Sequence, residues 1–113
     1  MKKKRTTSLG LSLLDNGALL SNGHLLFDNN FLPNSLKTPL VVNIQETKYI
    51  IDKTFDEITD GEWLVNIEDK ISIKTLERIL VKRLRVSFGD LKMPFDCGIN
   101  DIKVLGKVIM VCK

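Results

Sequence analysis

The stretch whose reading decides the fold is DKTFDEITDGEWLVNIEDKISIK, Asp52 to Lys74. Successive side chains of an extended chain point to opposite faces, so EWLVNIE places Trp63, Val65 and Ile67 together on one face of a strand. Asp69-Lys70 then reads as a turn. The following run, ISIKTLERI, returns with Ile71, Ile73 and Ile79 on one face and Lys74 on the other. An acidic turn before one strand and a lysine on the next suits both an active-site loop and a plain hairpin. The rest of the chain has to decide between them.

Working outward, the period is two from Leu40 onward. LVVNIQE and KYIID are short β-branched runs with a tight hairpin expected at Glu46 and Thr47. RLRVSF, a turn at Gly89-Asp90, KMPF and CGINDIKVLGKVIMV complete the series. The last run is apolar on both faces, so it is central in the sheet or covered by a partner. The first third, DNGALLSNGHLLFDNNFLPNSLKTP, is the least regular: Asn-Gly twice, Asn-Asn and two prolines mark turns between short apolar pieces. Pro33 and Pro39 confine any helix around PNSLK to a turn or so. The class is therefore mainly β, built of curved antiparallel sheets with at most short helices.

With 113 residues, 43% hydrophobic and 27% charged, the chain is one small globular domain. We divide it into a flexible basic tail, residues 1–9, and a folded domain, residues 10–113. Net charge is +3, and much of the excess sits in Lys2, Lys3, Lys4 and Arg5. A folded surface that binds nucleic acid would carry a basic stripe. LERILVKRLR instead interleaves its charges with apolar residues, as solvated strand faces do. A tail of four charges gives only weak, non-specific attraction to DNA. No apolar run reaches the roughly eighteen residues of a membrane span. SLGLSLLDNGALL is broken by Asp15 and Asn16 and lacks a small-x-small cleavage site, which implies a cytoplasmic protein. Cys97 and Cys112 lie in or beside apolar runs without CxxC spacing, as buried thiols do.

Little in the chain carries chemistry. His24, the single histidine, sits beside Asn-Gly and reads as a solvated loop residue. The glycines are scattered, so no phosphate loop forms, and no metal or cofactor site is expected. Asp56-Glu57 and Glu68-Asp69 fall at turns, where acidic residues serve as turn formers. A Ser-Lys hydrolase needs a turn serine and a lysine buried enough to be neutral. Lys74 suits the second role, but no serine stands between Asn43 and Ile71.

ITDGEWLVNIEDKISIKTLERI, RLRVS and INDIKVLGKVIMV together resemble the C-terminal half of the LexA-like peptidase domain of LexA and phage repressors. DGEWLV, ISIK and MPFDCGINDIKVLGKV are similar, more narrowly, to the C-terminal domains of CI repressors of the coliphage 186 type. The resemblance covers Tyr49 to Val111 and, more loosely, GHLLFDNNFLPNSL. It places Lys74 at the peptidase lysine and puts Lys53 or Thr54 where the nucleophilic serine belongs. Lysine cannot form the acyl intermediate, and a threonine there lacks a dedicated base. The self-cleavage dipeptide is missing too: Ala18 follows a glycine, and Cys97-Gly98 lies late in the chain. The narrower group also lacks the serine.

The resemblance thus implies a catalytically inactive domain in a bacterial cytoplasm. Its role is to dimerise and assemble a repressor into larger oligomers, supporting cooperative operator binding and lysogeny. Its partner is itself, and it reaches DNA only through a helix-turn-helix domain that MKKKRTTSLG is too short to supply. One alternative is a stand-alone protein that enters a full-length repressor's oligomer and weakens repression. An active Ser-Lys self-cleaving peptidase is a second, disfavoured by the missing serine. For the interface the last strand is expected to contribute Leu105, Val108, Ile109, Met110 and Val111, with Leu105, Ile109 and Val111 on one face and Val104, Val108 and Met110 on the other. Burial of both faces inside the monomer is the competing reading.

Overall fold

The computed structural model describes residues 5–87 and 93–113. Nine strands form one mixed sheet, and no helix occurs among the described residues. They are β1 (Thr6–Asp15), β2 (Ala18–Asp28), β3 (Pro39–Ile44), β4 (Thr47–Asp52), β5 (Gly61–Ile67), β6 (Lys70–Ile79), β7 (Arg83–Ser87), β8 (Phe95–Gly98) and β9 (Lys103–Cys112). The order across the sheet is β2-β1-β3-β4-β9-β5-β6-β7-β8, antiparallel except for the parallel pair β1 and β3. The expected mainly β fold is found, as a single sheet.

Turn chemistry sets the hairpins. Glu68 and Asp69 have φ of 51° and 66°, and Trp63 lies opposite Lys74. The short Asp69 side chain can hydrogen-bond locally and favours this left-handed region, and Lys70 pairs with Ile67, so the turn falls one residue before the expected Asp69-Lys70. The β3–β4 turn likewise uses Gln45 and Glu46, leaving Thr47 paired with Ile44. The turn expected at Gly89-Asp90 lies outside the described residues.

The first third is far more regular than its turn signals imply. Asn16-Gly17, both at positive φ, turns β1 into β2. The second Asn-Gly is no turn. Leu11 alone faces Asn22-Gly23 where the register shifts, and Gly23 at φ 85° absorbs the extra residue as a bulge. The assignment of residues 1–9 to a flexible tail fails from Thr6 onward, because Thr6–Leu9 pair with β2 and Leu9 is buried. His24 is accordingly an exposed strand residue opposite Gly10, not a loop residue.

Three apolar clusters hold the sheet. Val42, Ile51 and Leu64 form one on a single face, joined by Leu14, Leu19, Ile71 and Ile73. The Ile71 N–H donates to the Gly17 carbonyl at 2.8 Å, so the sheet curls until the β1–β2 turn meets β6 over this cluster. On the opposite face, Leu9, Val41 and Ile50 are covered by Leu32 and Leu36 of the β2–β3 loop. In the other half, Trp63, Val65, Leu76, Leu84 and Val86 are covered by Phe55, Ile58 and Ile99.

Candidate functional site

Asp52 ends β4 and is the single buried charged side chain among the described residues. Its Oδ1 accepts from the N–H of Thr38 at 2.9 Å and of Thr54 at 3.0 Å, and its Oδ2 accepts from the Lys37 N–H at 3.0 Å. Burial alone would favour the neutral acid. The three backbone donors, helped by the Lys37 charge, outweigh it and hold the carboxyl below its ordinary range. The Lys53 N–H donates to the Thr38 carbonyl at 2.9 Å, and the Thr38 and Thr54 hydroxyls share a short hydrogen bond. Sequence reasoning passed over Asp52, since an acid at a strand end looks like any solvated terminus.

Lys53 and Thr54 are therefore surface residues pinned by Asp52 to the loop before β3. Lys74 is elsewhere. It is half-buried in β6 and lines a cavity of about 340 Å³ with Asn16, Gly17, Lys70, Ser72 and Phe95. Asp52 pairs with Lys107, Lys107 with Trp63, and Trp63 with Lys74. Those three strand spacings amount to roughly 14 Å along the sheet. The structure thus keeps Lys53 and Thr54 together and does not bring either to the wall of the Lys74 cavity. Trp63 stands between, its Nε1–H donating to the Thr59 carbonyl at 2.8 Å, with Phe55 edge-on at 5.0 Å. The Lys107 ammonium lies 5.7 Å from the Trp63 ring centre and donates to Thr59 Oγ1 at 3.2 Å.

The five residues expected at an interface do not share a face. Two register shifts, one opposite Leu64/Val65 and one opposite Ile50/Ile51, break the alternation of β9. Leu105 and Val108 consequently pack on the Val42–Ile51–Leu64 cluster and Met110 on the Leu9–Val41–Ile50 cluster. Ile109 is half-buried, and Val111 is 42% exposed. Val111 lies opposite Tyr49, which packs on the same cluster as Leu105, so those two share a face as expected. The bulges instead move Val108 from the face of Val104 and Met110 to theirs.

The basic run around Leu76–Arg85 lies on the β6–β7 hairpin. Arg78 Nη1 donates to the Ile58 carbonyl at 3.0 Å, and Arg85 pairs with Asp96 at 2.9 Å. Leu80 and Val81 at its tip are each 88% exposed. Both cysteines are free and half-buried. Burial, with Asp101 nearby, raises the Cys97 thiol pKa. No group of metal-ligating side chains and no helix long and apolar enough to cross a membrane occurs among the described residues.

A curled all-strand sheet, ending on a central strand and carrying a lysine on the hairpin after its Asp-Gly turn, defines the class: the chain belongs to the bacteriophage CI repressor C-terminal domain family, which it matches over residues 9–110. Among individual proteins it is similar to the repressor protein CI of Escherichia phage 186, with 39% identity over 93 residues, covering 82% of this chain and 47% of that protein. Protein ORFi in retron Ec67 of Escherichia coli is 32% identical over 89 residues, covering 79% of this chain and 44% of that protein. The repressor protein CI of Haemophilus phage HP1 is 32% identical over 62 residues, 55% of this chain and 31% of that protein. The chain thus spans less than half the length of the relatives it matches.

Proposed function

We propose that this domain is the self-association module of a CI-type repressor and that it carries no peptidase activity. The observation that carries the reading is the family match over residues 9–110. Joining copies of a repressor raises the effective concentration of its DNA-binding parts at neighbouring operators, so assembly strengthens repression without a DNA contact of its own. The dispersed charges of the β6–β7 hairpin, two of them already engaged with Asp96 and the Ile58 carbonyl, support an assembly role over a DNA-binding one.

Loss of autoproteolysis is supported by the absence of a serine at the Lys53–Thr54 position, where the resemblance puts the nucleophile. It is supported also by the placement of those two residues away from the Lys74 cavity, whose Ser72 lies on the lysine's own strand. Nucleophilic attack needs the hydroxyl and its base within hydrogen-bond reach. Light scattering over a concentration series tests the assembly reading: the mass should rise above the 12.8 kDa of one chain. A mass that stays at that value at the highest soluble concentration rejects it. Prolonged alkaline incubation should leave the chain intact, and an internal cleavage product would reject the inactive assignment.

A further inference from the structure

Resting on that self-association, we infer that two copies pair edge to edge through the second half of β2, antiparallel about a two-fold axis at Leu26. β2 is an outermost strand of 11 residues. Such an edge presents unpaired N–H and C=O groups, and proteins ordinarily blunt it with lysines, prolines or short length. Between Ala18 and Phe27 there is no lysine, arginine, acid or proline. Contact between the β1–β2 turn and β6 is at Gly17, which leaves the edge beyond the Gly23 bulge open among the described residues.

The sequence after the bulge, HLLFD, is complementary to its own reverse. His24, Leu26 and Asp28 lie opposite Gly10, Ser8 and Thr6 and so share one face. Leu25 and Phe27 share the other, beside the Leu9–Val41–Ile50 cluster. Centred on Leu26, the pairing sets His24 opposite Asp28 of the second copy, twice, and Leu26 against Leu26. On the other face it sets Leu25 against Phe27, continuing the apolar cluster across the axis. A histidine facing a carboxylate it can donate to, and an apolar pair, are stabilising combinations directly across two strands, and an isologous two-fold contact closes at a dimer. Leu26 is 71% exposed, with only the small Ser8 beside it on its own sheet. Asp28 uses Oδ1 to accept from the Asn30 N–H at 2.8 Å, and its Oδ2 stays available to the facing histidine. The second copy fits better than an unrelated strand because its polar and apolar side chains fall in register without any foreign sequence.

The register makes the experiment specific. In the Leu26→Cys variant, a short thiol-directed cross-linker should join two chains, while Leu20→Cys, also exposed on β2, should give no more product than the parent chain with its own two cysteines. Leu26→Asp sets like charges together on the axis and should raise the dimer dissociation constant roughly tenfold or more. His24→Asp should weaken the dimer and His24→Lys should keep it. A dimer by light scattering with no Leu26→Cys product, or one unmoved by Leu26→Asp, overturns the edge pairing and leaves self-association standing. A parent chain that stays monomeric at every concentration overturns both. Circular dichroism and thermal melting of each variant separate loss of pairing from loss of fold.

Discussion

The two edges of this sheet are built to opposite specifications. β8 is four residues long and follows Pro94. Its Gly98 N–H is already given to Asp101 Oδ2 at 2.7 Å, the Asp101 N–H returns to the Gly98 carbonyl at 3.0 Å, and Asp96 is paired with Arg85. β2 is 11 residues long, uncharged until its last residue and interrupted only by the bulge at Gly23. Short length, proline and local charge keep a strand edge from recruiting another chain, and β8 uses all three. That β2 uses none of them, in the same sheet, makes its openness a property of this edge.

The largest effect should come from removing what both edges share. Trp63 is fully buried on β5, next to the central strand β9. Truncating a buried tryptophan costs about 3–5 kcal/mol through lost burial and the cavity left behind. In Trp63→Ala, chemical denaturation should show a loss of that size, and amide exchange should speed up in β2 and β8 together. If one edge alone loosens, the two halves of the sheet fold as separate units and the comparison of edges is a comparison of subdomains. The next effect should be confined to the β2 side. Asp52→Ala strands three backbone donors that tie the Lys37–Thr38 loop to β4. The expected cost is about 2–3 kcal/mol, with exchange rising first around Leu36 and β3.

Asp52 also fixes a pH dependence. Its folded-state carboxyl sits below its ordinary value because backbone donors overcome burial. Its stabilisation is therefore complete above the ordinary value of about 3.9 and is lost as pH falls through the lowered one. The parent chain should lose stability in that acid window, and Asp52→Ala should lose less. Identical acid profiles would show that another carboxylate controls the transition.

Most of the sheet was legible where its periodicity is strict. Trp63, Val65, Ile71 and Ile73 face as the alternation of two requires, and both central hairpins form within a residue of their expected turns. Alternation failed wherever a bulge intervened, because one inserted residue exchanges the faces of everything beyond it. Val108 changes face in β9 for that reason, and Asn22-Gly23 resembles a turn because the same dipeptide supplies the positive φ that a bulge needs. Gly106 belongs to this group: a Cβ there would meet Ile51 Cγ2 at 2.5 Å and the Asp52 carbonyl at 2.9 Å. That closeness is a relation between two strands, invisible along either one. Of the site, the departure from a Ser-Lys pair could be read directly, since it concerns which residues are present. The role of Asp52 could not, because it depends on a loop folding back from fifteen residues earlier.

A smaller change should make the two edges more alike. Asp101→Ala frees the Gly98 N–H and should cost about 0.5–1.5 kcal/mol, the usual contribution of one hydrogen bond. Its sharper consequence is for association: with the cap gone, β8 gains an outward donor, and turbidity on heating should begin at lower protein concentration. Unchanged turbidity would mean that the shortness of β8 suffices to protect it, and that length rather than capping separates the two edges.

The smallest effect is expected at the most visible polar contact. Arg85 and Asp96 make two hydrogen bonds, at 2.9 and 3.4 Å, and each partner's pKa moves in the direction that favours the charged pair. Both groups are open to solvent, where water and salt screen the attraction and ordering two side chains offsets much of what remains. Arg85→Gln should therefore leave the melting temperature unchanged within the precision of a thermal scan, at low salt and at high salt alike. It should also leave the proposed β2 pairing unchanged, because β8 keeps its length, Pro94 and the Asp101 cap. A melting temperature that falls on substitution at low salt and recovers nothing at high salt would show that this pair holds β7 to β8 structurally. The charge on that edge would then be part of its framework, and the protection of β8 would depend on the ion pair as well as on shape.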